Sequence, residues 1–144
     1  MITTRKLKTW TILSHAFIIV GAGHGMIFFA GIEILGFPYF FHKDFSFSFI
    51  ASVENHLPAI GFTALLGQAA FVFSILHKKQ IFKTIAQVAG LALLWLSVIY
   101  FMYDSSKDSY THIATFTCIP FAICTIITFA GRPITSFYNW VLEK

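Results

Sequence analysis

The residues best suited to chemistry are imidazoles and carboxylates set inside otherwise apolar stretches. They are His24 and Glu33 in the first stretch, Glu54 and His56 in the second, and Asp108 and His112 at the mouth of the last. Imidazole with carboxylate can bind a borderline divalent ion such as zinc, iron or nickel. A metal site of this kind would draw on Glu33, Glu54, His56, Asp108 and His112. Two imidazoles from facing helices can instead hold a haem, and a cofactor site would use His24, His56 and His112. A His–Glu pair can also relay protons or act as acid and base, its pKa values set by burial and neighbours. Asp108 and His112 stand one helical turn apart and so share a face. None of these spacings is a recognised metal signature such as HExxH, and no residue takes a catalytic role from sequence alone.

Helices must bring these groups together, and composition indicates where they run. The chain has 144 residues, 57% hydrophobic and 11% charged, with 18 Phe, and a mean hydropathy of +0.76. Soluble domains carry about 25% charged residues. The sequence therefore reads as all-α, a polytopic integral membrane four-helix bundle forming one transmembrane domain over residues 1–144. Apolar runs long enough to cross a bilayer cover about 10–35, 50–76, 84–103 and 110–130. The basic head and first run have the order of a secretory signal, but Ser14, His15 and His24 favour a retained span.

Within the spans, Gly21 and Gly25 share a helical face that admits a close neighbour. Pro38 ends the first span, because the residue before a proline avoids helical geometry. Residues 36–48 mix aromatics with His42, Lys43 and Asp44 and suit the headgroup layer. Pro58 either marks the start of the second span or kinks a longer one. Ala59, Thr63, Gly67 and Ala70 form a small-residue packing stripe beyond it, and Ala86, Gly90 and Leu93 lie roughly on one side of the third span. Gln68 and Gln87 are placed to pair across these two spans. Pro120 bends the fourth span, and Gly131, Arg132 and Pro133 close it. Cys118 and Cys124 fall on different helical faces and read as packing residues rather than a disulfide.

Charge sets the orientation. Every Lys and Arg except Lys43 and Lys107 falls on the side shared by the termini and the link between spans two and three. Basic residues over short loops mark the inner side. The expected location is thus a bacterial cytoplasmic membrane (the cell inner membrane) with both termini cytoplasmic. Membrane lipids are the expected partners of the basic residues, and the net charge of +4 implies no nucleic acid.

At 1.5 Å per residue, Glu33, Glu54, His56, Asp108 and His112 come to similar depths near the outer leaflet, with His24 beneath them. Each also has a plainer role open to it. Asp108 can cap the fourth span, and Glu33 and His112 can sit at the interface with wetted tips. A helix beginning at Leu57 leaves Glu54 and His56 among the headgroups. His24 can bond a neighbouring hydroxyl, and His15 and His77 read as interfacial. The expected function is a small membrane protein with a metal-binding or redox site near the outer leaflet. The alternative is a noncatalytic structural or accessory subunit of a larger membrane complex, or a homo-oligomer, with a small transporter ranked below both.

Overall fold

The structure, a computed structural model, describes residues 5–22, 25–38, 53–104 and 111–142, with side chains at 5–21, 25–35, 37–38, 58–102 and 113–129. The element order is α1 (Arg5–Ala16), β1 (Ile19–Ala22), β2 (Gly25–Phe28), α2 (Phe29–Gly36), α3 (Val53–Leu76), α4 (Gln80–Asp104) and α5 (Thr111–Leu142).

The first expected span is not one helix. After α1 the chain carries Ile18, Ile19 and Val20, β-branched residues that fit an extended backbone better than a helix, followed by glycines that weaken a helix interior. It forms an antiparallel hairpin in register Ile19↔Phe28, Val20↔Ile27, Gly21↔Met26 and Ala22↔Gly25. The Phe29 amide donates to the Ile18 carbonyl at 2.8 Å and closes the base of the hairpin. The Ile19 amide donates to the Thr117 hydroxyl at 3.0 Å, docking β1 on α5.

α3 and α4 form a long helical pair. The small-residue stripe has its expected effect here, because an added methyl at Gly90 would stand 2.8 Å from the Gly67 carbonyl and 2.9 Å from the Phe71 amide. Only residues without a β-carbon let two backbones approach so closely. α3 begins at Val53, so Pro58 lies inside the helix. α5 continues through Gly131, Arg132 and Pro133 to Leu142. Proline removes one helical hydrogen bond without forbidding continuation, and the expected stop does not occur. Phe29, Phe71, Leu94 and Phe121 are fully buried at the centre with Ile18 and Val20. Cys118 and Cys124 are both free, as expected.

The polytopic four-helix membrane bundle is overturned. A hairpin and two short helices replace its first span, giving five helices and a small sheet among the described residues. Among the described residues only Pro58–Leu76 and Gln80–Met102 are helical segments long and apolar enough to cross a membrane, a test that buried core helices also pass. Buried polar side chains find partners inside the fold: Lys8 with Ser74, His15 with Ser97, and Glu33 with Gln68. That is the economy of a compact globular domain, where a buried polar group is costly unless hydrogen-bonded. The lipid partners, the inner-membrane location with cytoplasmic termini, and the membrane-complex subunit and transporter readings all rested on four spans. They fall with that architecture.

Candidate functional site

The buried polar centre assembles from four helices. His15 is the next-to-last residue of α1, Glu33 lies in α2, Gln68 in α3 and Ser97 in α4. Both titratable residues are sealed, His15 at 0% and Glu33 at 5% exposure. The His15 ring is flanked by Phe29 at 4.7 Å and Phe121 at 5.1 Å between centroids.

Hydrogen bonds assign the tautomer. The Ser97 hydroxyl donates to the Leu94 carbonyl at 2.8 Å, so its oxygen is left to accept from His15 Nε2, 3.1 Å away. Nε2 therefore carries the proton and Nδ1 presents a bare lone pair. Nδ1 is buried without a hydrogen-bond partner. It faces Glu33 Oε1 at 3.8 Å, within ion-pairing range. The same oxygen accepts from Gln68 Nε2 at 2.7 Å.

Burial disfavours charge on both groups. It pushes Glu33 up to about 7, with the Gln68 hydrogen bond pulling weakly the other way. It pushes His15 down to about 4. Mildly acidic conditions thus leave both neutral, with the proton on the carboxyl and an acceptor nitrogen opposite. The contact is a poised donor and acceptor rather than a charged pair.

A second buried group lies two turns earlier in α1. Lys8 Nζ donates to the Ser74 hydroxyl at 2.9 Å and to the Ser74 carbonyl at 3.3 Å. The Ser74 hydroxyl donates in turn to the Phe71 carbonyl at 2.6 Å. Burial first, then the Lys83 charge, lowers Lys8 to about 8.

Of the residues expected to form a site, Glu33 is described and is buried rather than wetted. His24 and Asp108 lie outside the described residues. Glu54 and His56 fall on the first turns of α3 and His112 at the start of α5, with side chains outside those described. The metal-binding or redox site is not supported as the function: among the described residues no group of three or more His, Cys, Asp or Glu comes together. Gln68 pairs with Glu33 rather than Gln87. His15 and Lys8, read from sequence as interfacial and as part of a basic head, are core residues. The available signal was the polar residues Ser74, Ser97 and Gln68 inside apolar helices, which require partners. Comparisons with protein-family models, curated proteins and solved structures found no match.

Proposed function

We propose that this chain is a proton-binding helical module whose working part is the buried His15–Glu33 pair. The observation that carries this reading is the unpartnered Nδ1 of His15 facing the Glu33 carboxyl in a sealed apolar pocket. The carboxyl is the nearest group able to supply a proton to that lone pair, and Gln68 and Ser97 hold the two partners in orientation. Proton uptake places one proton on the Glu33 carboxyl opposite the neutral imidazole, and its loss leaves a single carboxylate buried beside Nδ1. No other titratable side chain faces the pair among the described residues: α3 contributes Gln68, α4 Ser97 and α5 Phe121. Taking up or losing one charge there changes how α1 and α2 sit on the α3–α4 pair, because an uncompensated buried charge is strongly unfavourable.

Infrared difference spectroscopy of the carboxyl stretch, with nitrogen-15 NMR of the imidazoles, tests this. The expected result is a protonated carboxyl band that titrates near pH 7 and is absent in Glu33→Gln, with His15 protonated on Nε2. A Glu33 that ionises in the ordinary carboxylate range, or a His15 protonated on Nδ1, would refute the reading.

A further inference from the structure

We propose that the basic end of the molecule, where α1 begins and α3 turns into α4, is a docking surface for an acidic, amphipathic segment of a partner protein. This inference is independent of the His15–Glu33 pair. The observations behind it are unneutralised charge, apolar residues set among that charge, and a rigid turn that presents both.

Three pieces of chain supply the charge. Arg5 and Lys6 are exposed at the start of α1, Lys78 and Lys79 are exposed in the turn, and Lys83 stands on the first turn of α4. Lys8 ties the pieces together, since its ammonium reaches Ser74 near the end of α3 and senses the charge of Lys83. Among the described residues none of these cations is paired with a carboxylate. The cause lies in the sequence, which places no Asp or Glu before Glu33 and none from Asn55 to Tyr103. The N-termini of α1 and α4 add to the positive potential against the single opposing C-terminus of α3 at Leu76, and neither α1 nor α4 has an acidic residue in its first turn. Unopposed potential of one sign selects a partner of the other and speeds its arrival.

The apolar side chains distinguish a protein partner from a polyphosphate or a nucleic acid. Leu76 is 75% exposed and Ile81 73% exposed, on either side of the two lysines. Aliphatic side chains have no use for a phosphate backbone, and bases stack on aromatic planes or guanidinium groups rather than on Leu and Ile. An amphipathic segment uses both features, placing carboxylates on the lysines and its own apolar residues on Leu76 and Ile81. The turn is held for this. His77 stacks on Phe73 at 4.8 Å and meets Phe82 edgewise at 5.4 Å, while the Lys83 amide bonds the Lys79 carbonyl at 3.1 Å. A surface already ordered loses less entropy on binding.

The test uses the full chain and a labelled synthetic peptide of about 20 residues, long enough to fold on contact, with Glu and Leu alternating at helical spacing. Binding is expected at low salt and should weaken about tenfold or more in the double variant Lys78→Glu, Lys79→Glu. It should weaken similarly in Leu76→Ser, Ile81→Ser, and when the peptide's leucines become serines. All four positions are exposed, and each variant is expected to keep the helical circular dichroism of the native chain. Single-stranded DNA or heparin binding as tightly as the peptide would overturn the proposal. So would a serine-for-leucine peptide that binds equally well, or affinity that survives the charge reversal.

Discussion

His15 and Glu33 respond to burial in opposite directions. Glu33 sits at about 7 against an ordinary 4.5. Its stabilising contribution is full below pH 4.5 and is lost as pH rises through 7. His15 sits at about 4 against an ordinary 6.5. Its contribution is full above pH 6.5 and is lost as pH falls through 4. Between these ordinary values the two slopes oppose each other, and the stability of the native chain is expected to change little. Removing either partner uncovers the other. Glu33→Gln should lose stability from pH 6.5 down to 4, and His15→Gln should lose it from pH 4.5 up to 7. Each slope approaches about 1.4 kcal/mol per pH unit for one proton. Urea unfolding at several pH values measures both, and two flat profiles would show that neither group is perturbed.

Among the elements, the α3–α4 pair depends most on a single close approach. A β-carbon at Gly90 would press on the backbone of Gly67 and Phe71, and one at Gly67 would meet the Gly90 carbonyl together with the Leu94 side chain. Gly90→Ala should destabilise the chain by roughly 1–3 kcal/mol, because the helices must separate and lose packing along their length. The helix propensity of alanine returns up to about 1 kcal/mol of that. Gly25→Ala is the control, since its added methyl meets nothing within 4 Å. Thermal unfolding of the two variants should rank Gly90→Ala well below Gly25→Ala, and equal midpoints would contradict the packing argument. The stripes containing Gly67 and Gly90 were readable in advance, and α3 and α4 fall close to the apolar runs that predicted them. The hairpin was hidden because residues 17–28 are apolar and glycine-rich, a composition compatible with a packed helix or with two short strands. The edge of β1 is satisfied by Thr117, which no local periodicity can reveal.

Taken as one body, the protein separates its charges. The cations of α1 and of the α3–α4 turn meet no carboxylate among the described residues, while the acids Asp104 and Glu54 belong to the other ends of α4 and α3. Repulsion between like charges opposes folding and is screened within about 10 Å at 0.1 M salt. Sodium chloride should therefore raise the unfolding midpoint, and the rise should shrink in Lys83→Gln, which removes the charge that Lys8 senses. A midpoint indifferent to salt, or an equal rise in the variant, would deny that this end is strained by its own charge. Large apolar side chains such as Val72, Ile85, Leu96, Ile99 and Phe116 also remain exposed on the helices.

Composition and spacing by themselves determined a mainly helical, apolar chain, the small-residue stripes that hold Gly67 and Gly90, two cysteines that do not bridge, and Glu33 as a titratable group of interest. These are properties of neighbouring residues and of helical repeat, which the linear order carries. The pairing of His15 with Glu33, the burial of Lys8 on Ser74 and the conversion of the first span into a hairpin came from contacts between distant parts of the chain. A pKa, a tautomer or an unpaired lone pair belongs to such contacts, because each depends on which groups are brought close and which water is shut out.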